Sequence, residues 1–220
     1  MQASSHFSEA EQWRLIAAGD ESAFTALYRE RQGGIYRFAW QMSGSATIAE
    51  DVTQEVFMAL IRETHNFDPS RGTLAAYLYG IARHQVLRRL EKDRPLLLVF
   101  SQANEADESR ATNIEAREAG ANAGNDPLEK LSRHELIVSV RQAVLALPEH
   151  YREVIVLCEF HELSYAEAAC VLDCAIGTVR SRLHRARGIL AERLRGLRAI
   201  EEAKEDAPPQ QQARATRCFV

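Results

Sequence analysis

Apolar residues recur along this chain at helical spacing almost throughout, and the strict alternation of a half-buried strand is nearly absent. A first helix is predicted over Glu9 to Ala18, stopped by Gly19. Asp20 is placed to cap the next, which carries Phe24, Leu27, Tyr28, Ile35, Tyr36 and Phe38 and stops near Gly44; Gly33-Gly34 predicts a kink or local break within it. Thr47 stands three residues before Glu50, the spacing of a capping box. The helix it opens reads AEDVTQEVFMALIRE. Val52, Val56 and Leu60 form one stripe with Phe57 and Ile61 beside it, leaving Asp51, Gln54, Met58 and Arg62 mostly on the other side. The turn-rich THNFDPSRGT follows. Thr73 then caps LAAYLYGIARHQVLRRLEKDR, whose inward face draws on Leu74, Leu78, Ile81, Leu87 and Leu90, and Pro95 closes it.

The pattern then lapses. From Ser101 to Asn125 the chain is rich in Ala, Glu, Asn, Ser and Gly, with Ile114 its only large aliphatic residue. Such a stretch cannot bury enough apolar area to offset its ordering entropy, so it reads as a flexible acidic linker. The run LLLVF just before it, residues 96 to 100, is expected to pack back on the first unit. A second compact region starts near Pro127: Leu136, Val140, Val144 and Leu147 stripe one helix, and Pro148 fits the first turn of the next, EHYREVIVLCEF. Ser164 and Glu167 form another capping box, with Leu163 and Ala168 as its hydrophobic staple. The predicted architecture is all-α, with two small helical domains over 1–95 and 131–199, a linker over 96–130 and a disordered tail over 200–220.

The segment GTVRSRLHRAR, Gly177 to Arg187, changes the picture. Placed on a helix at about 100° per residue, Ile176, Val179, Leu183, Ala186 and Leu190 share one face, and Thr178, Ser181, Arg182 and Arg185 the opposite one, with Arg180 and Arg187 on the flank. A major-groove reader needs this layout: Arg donates bidentately to guanine, while Thr and Ser add short hydrogen bonds or touch a thymine methyl. Flanking arginines hold phosphates. The short capped helix before it and the connection Asp173 to Gly177 fit a helix-turn-helix.

Bulk composition then excludes other classes. The chain has 220 residues and a net charge of −4, but Arg83 to Arg94 and Arg180 to Arg198 are basic, so a polyanionic partner stays open. No window approaches eighteen uninterrupted apolar residues and the N-terminus lacks a secretion signal, which leaves the cytoplasm by default and no membrane contact. Cys158, Cys170, Cys174 and Cys218 form no CxxC pair. Cys170 and Cys174, with His161 near them in sequence, are a weak zinc or redox candidate; small buried thiols are the better reading. Neither paired carboxylates in a cleft-like context nor a Gly-rich phosphate loop appears, so no enzyme, metal or cofactor is expected.

The residues from LPEHYREVIVLCEF to GTVRSRLHRAR closely resemble region 4 of bacterial RNA polymerase sigma factors of the extracytoplasmic-function group. AEDVTQEVFMALIRE resembles their region 2.2, and NFDPSRGTLAAYLYGIARHQVLRRLEK their regions 2.3 and 2.4. The resemblance spans roughly residues 22 to 94 and 132 to 195 and implies an initiation factor for core RNA polymerase. It implies docking of Asp51, Gln54 and Glu55 on the coiled coil of the polymerase largest subunit, with the flap as a further polymerase contact. Phe67, Tyr77, Tyr79, Arg83, His84, Arg88 and Arg89 are implied at the promoter −10 element, where unpaired bases are captured by stacking and in pockets. For the −35 element the candidates are Thr178, Arg180, Ser181, Arg182 and Arg185, most of which the helix geometry picks out independently.

The chain departs from the usual −10 pattern, with Tyr77 for tryptophan, His84 for asparagine, Arg88 for aspartate and Glu91 for arginine. The resemblance also implies an anti-sigma protein as partner. The acidic linker either passes through the polymerase or is a bare tether, and the segment beyond Ala199 is a candidate for regulation in cis. Two other readings remain: a stand-alone helix-turn-helix regulator on operator DNA, and a helical adaptor using its basic helix on an acidic protein.

Overall fold

A computed structural model describes residues 9–62, 67–69, 72–97 and 127–205. Among them every regular element is helical: α1 (Glu9–Ala17), α2 (Glu21–Ser43), α3 (Ala46–Arg62), α4 (Leu74–Leu97), α5 (Pro127–Leu145), α6 (Glu149–Ile155), running on into a π-helical turn (Val156–Phe160), α7 (Tyr165–Leu172) and α8 (Ile176–Glu205). Most of the expected linker, the Phe100 end of LLLVF and the tail with Cys218 lie outside the described residues. Helix α5 begins inside the stretch expected as linker, and α8 runs past Ala199. No described helix is long and apolar enough to cross a membrane.

Local chemistry sets most of the boundaries. Asp20 accepts from the backbone N–H groups of Ser22 at 2.8 Å and Ala23 at 3.0 Å, satisfying two orphan donors of α2. These hydrogen bonds, the Ser22 hydroxyl first among them, hold the Asp20 carboxyl below its ordinary pKa. Gly44 ends α2 with φ 73°, a left-handed conformation that glycine enters without steric cost. Thr73 caps α4 by accepting from the Ala76 N–H at 3.2 Å.

Several expectations are corrected. Helix α3 starts before Thr47: Ser45 is its cap, its hydroxyl accepting from the Ile48 N–H at 3.3 Å. Gly33-Gly34 does not break α2, because Ile35, Tyr36 and Phe38 beyond it are all buried. Tertiary packing outweighs the roughly 1 kcal/mol that each glycine costs a helix. Helix α4 runs past Pro95 to Leu97, so proline sits in the last turn, where few hydrogen bonds remain to lose. Pro148 is the N-cap of α6 rather than within its first turn. Leu136, Ile61 and Ile176 are 51%, 52% and 44% exposed, so these three stripe positions do not enter the core.

Helices α1 to α4 make a front bundle in which α2 packs on α3 and α4. Its centre holds Leu27, Phe38, Val52, Val56, Leu60, Leu78 and Val86, all fully buried. Each large apolar side chain there contributes about 1.5–3 kcal/mol on removal from water. In the rear bundle α5, α6 and α7 pack on α8, around Leu147, Ile155, Leu157, Ala168, Val179, Leu183 and Ala186. The two bundles touch: α4 packs on α7, and α2 on α5 and the π-helical turn.

Candidate nucleic-acid interface

The rear site is built from α7, its turn and α8. The Ser164 hydroxyl accepts from the Glu167 N–H at 3.2 Å, and Glu167 accepts from the Ser164 N–H at 2.9 Å. The capping box read from the sequence is thus present. The hydrogen bond from the Ser164 hydroxyl is the main reason the Glu167 carboxyl is held below its ordinary pKa. Asp173 then takes φ 49°, ends α7 and turns the chain into α8 within three residues. Val179, Leu183 and Ala186 seat α8 on the bundle, each no more than 1% exposed. That anchoring turns Arg180, Ser181 and Arg185 to solvent, with Thr178 and Arg182 half-exposed beside them. The structure therefore leaves all five rear candidates at least partly accessible on a helix that follows a tight turn, Thr178, Ser181, Arg182 and Arg185 on its outer side and Arg180 on the flank, where its guanidinium lies 5.8 Å from the Tyr165 ring centroid. Arg187 differs: it is paired with Glu159 at 2.5 Å.

On the front bundle, Asp51 and Gln54 are exposed on α3 and Glu55 is half-exposed. The two acids have loose arginine neighbours, Arg89 at 4.0 Å from Asp51 and Arg62 at 3.7 Å from Glu55. Exposed pairs of this kind contribute little and exchange readily for another partner. Beside them lie Tyr28, Met58 and Ile61, 38%, 42% and 52% exposed, along a groove between α2 and α3. Periodicity did not single out this apolar flank as a site, because an exposed Ile61 departs from its own stripe.

The α4 candidates divide. Phe67 stacks edge-on against Trp13 at 5.0 Å and lies 5.3 Å from Tyr77, forming an aromatic row. Phe67, Tyr77 and His84 line one groove together with Gly80, Cys170 and Asp173. His84 and Arg88 are exposed, and Arg89 bonds Gln85 at 3.4 Å. Tyr79 and Arg83 instead meet the rear bundle. The Tyr79 hydroxyl donates to His161 Nδ1 at 3.0 Å, and Arg83 Nε donates to Glu153 Oε1 at 2.6 Å. The fold thus brings Phe67, Tyr77 and His84 together along one groove, while Tyr79 and Arg83 are engaged by the rear bundle.

His161, weighed from sequence as a metal neighbour, is a polar link: its Nε2 donates to Gln41 Oε1 at 3.0 Å. Desolvation, with Arg37 nearby, pushes its pKa down to about 4. Among the described residues no cluster of three metal-binding side chains occurs. Cys170 is exposed, which corrects its reading as a buried thiol; Cys158 and Cys174 are half-buried. Burial raises the Cys158 pKa and keeps that thiol protonated.

Known proteins share both bundles. Residues 27–95 match the Sigma-70 region 2 family and residues 137–190 the Sigma-70 region 4 family. The chain is 32% identical over 184 residues to the ECF RNA polymerase sigma factor SigW of Bacillus subtilis, covering 84% of this chain and 95% of the relative. Among solved structures it resembles CnrH in complex with the cytosolic domain of CnrY, with a TM-score of 0.61 at 25% identity, over 86% of this chain and 99% of the other. The fold is also that of the sigma factor RpoE of Bartonella quintana, solved with the anti-sigma factor NepR, with a TM-score of 0.55 at 24% identity, over 78% of this chain and 96% of the other.

Proposed function

Because this chain belongs to the extracytoplasmic-function sigma factors of the sigma-70 family, we propose that it binds core RNA polymerase and directs it to promoters with two spaced elements. The observation that carries this reading is the exposed Thr/Ser/Arg side of α8, set by a capped α7 and a left-handed turn. It is the layout of a helix that enters a major groove. In this reading Thr178, Arg180, Ser181, Arg182 and Arg185 read the −35 element, with guanidinium groups on guanine edges or phosphates. Asp51, Gln54 and Glu55 hold the largest-subunit coiled coil, and Tyr28, Met58 and Ile61 extend that contact with apolar area. Phe67, Tyr77, Tyr79, Arg83, His84, Arg88 and Arg89 serve the −10 element, the aromatic row capturing unpaired bases.

The factor performs no catalysis of its own; strand opening draws on binding energy, and the nucleotidyl chemistry stays with polymerase. Two weak DNA contacts on one chain reinforce each other through effective concentration. An anti-sigma protein is the second proposed partner, in keeping with the complexes in which related factors have been solved.

The deciding experiment adds the purified chain to core polymerase on genomic DNA and sequences the transcript starts. New starts sharing two spaced motifs are the expected result. A mixture that forms no complex, or starts transcripts no better than polymerase alone, overturns the reading. A stand-alone operator-binding regulator would instead bind specific DNA tightly without polymerase.

A further inference from the structure

The rear bundle carries carboxylates onto the face of the front bundle that is assigned to DNA. Glu153, only 2% exposed, accepts from Arg83 at 2.6 Å. Glu167 accepts from the Thr73 hydroxyl at 2.9 Å, at the N-terminus of α4. Around them the seam is polar. His161 bridges Tyr79 and Gln41. Arg152 Nη1 donates to the Met42 carbonyl at 2.7 Å and its Nη2 to the Leu147 carbonyl at 3.0 Å, tying the end of α2 to the α5–α6 turn. The Arg141 guanidinium lies 3.6 Å from the Trp40 ring centroid. Gly44 admits this approach, since a Cβ there would meet a Leu145 methyl at 3.0 Å; within the front bundle, Gly34 leaves room for the Tyr79 hydroxyl, which a Cβ there would meet at 3.0 Å.

Apart from Arg152–Leu147, the hydrogen bonds, ion pair and cation–π contact named here join the two bundles, beside an apolar core that is continuous between them. Polar contacts of this kind part more easily than apolar packing, because water replaces what is lost. An anion against Arg83 stands where a phosphate or base edge would stand. We propose that the rear bundle acts as a built-in cap on the −10 face, with Glu153 and Glu167 competing against nucleic acid for Arg83 and the start of α4. The chain binds single-stranded DNA there only after the seam opens. This rests on the assignment of α4 to the −10 element.

The test uses the full chain with Trp13→Phe, which leaves Trp40 as the sole one of its 2 tryptophans. Acrylamide quenching of Trp40 reports opening. Fluorescence anisotropy with a labelled random single strand of about 20 nucleotides reports capture. In the parent, Trp40 is expected to be shielded and capture weak. Glu153→Gln with Glu167→Gln should raise quenching and strengthen capture about tenfold, the gain expected if about a tenth of the parent is open. The charge-matched control Glu21→Gln with Glu192→Gln, both exposed and neither among the residues that join the bundles, should change neither. His161→Ala opens the seam without altering a carboxylate, is judged by the same two readouts, and decides the matter if circular dichroism shows the double variant unfolded.

A parent whose Trp40 is already freely quenched overturns the proposal. So does an open variant without tighter capture, or a control that gains as much. Failure of the start-site experiment would sink the sigma-factor reading and leave these two measurements standing.

Discussion

His161 shows how much one ring can control. Packed between Phe38, Tyr79 and Gln41, it is neutral, donating from Nε2 and accepting at Nδ1. The groups facing it are the Tyr79 hydroxyl of α4, the Gln41 amide of α2 and the Arg37 guanidinium, also of α2. Its pKa in the closed chain is about 4, against an ordinary value of 6.5. A group with a depressed pKa leaves the closed form with fewer bound protons than the open one. Closure is therefore fully supported above pH 6.5 and weakens as pH falls toward 4, by up to about 1.4 kcal/mol per pH unit. Trp40 quenching should rise on acidification through that window, and His161→Gln should flatten the rise. An unchanged pH profile in the variant would exclude the ring as its source. Ser164 acts on folding instead. Ser164→Ala removes the cap hydroxyl of α7 and should cost about 1 kcal/mol, read as a lower midpoint in thermal unfolding.

At the scale of elements, α8 divides its labour by face. Val179, Leu183 and Ala186 hold it, so they cannot be exchanged for polar residues without losing the bundle. Arg182→Ala touches only the outer side. It should weaken discrimination at one −35 base pair by about 1–3 kcal/mol while polymerase binding is retained, as measured by competition between promoter variants. Helix α2 depends on a different detail. Gly34→Ala leaves a helical position but crowds the Tyr79 hydroxyl at 3.0 Å. The substitution gains helix propensity and displaces the bond to His161, so Trp40 should become more quenchable while overall helicity is kept.

Across the whole molecule, the surfaces proposed to face polymerase and duplex DNA are separate, and both are accessible with the bundles in contact. Asp51 and Gln54 of α3 are exposed, as are Arg180, Ser181 and Arg185 of α8. Exchanging Asp51, Gln54 and Glu55 together for alanine should abolish co-purification with core polymerase and leave binding to duplex −35 DNA unchanged. If that triple variant and Arg182→Ala lost the same activity, the two surfaces would not be independent. The face between them, on α4, is the one the bundles share. Opening is then a step that polymerase or promoter must drive, by preferring the open form.

The helices themselves, the capping box at Ser164, the cap at Asp20 and the arginine front of α8 were legible in the sequence, because each depends on spacing within one turn or one helix. The region 2 and region 4 resemblance followed from the same short-range patterns. What the tertiary structure decided involves residues far apart in the chain. Tyr79 and Arg83 read as free DNA contacts until Glu153 and His161 are seen against them. Gly33-Gly34 reads as a break until the buried Ile35, Tyr36 and Phe38 are seen to carry α2 through, and Ile61 reads as core until α3 leaves it at the rim. Periodicity records which side of a helix is apolar, but only packing settles how deep each position lies and which polar group meets another across a seam.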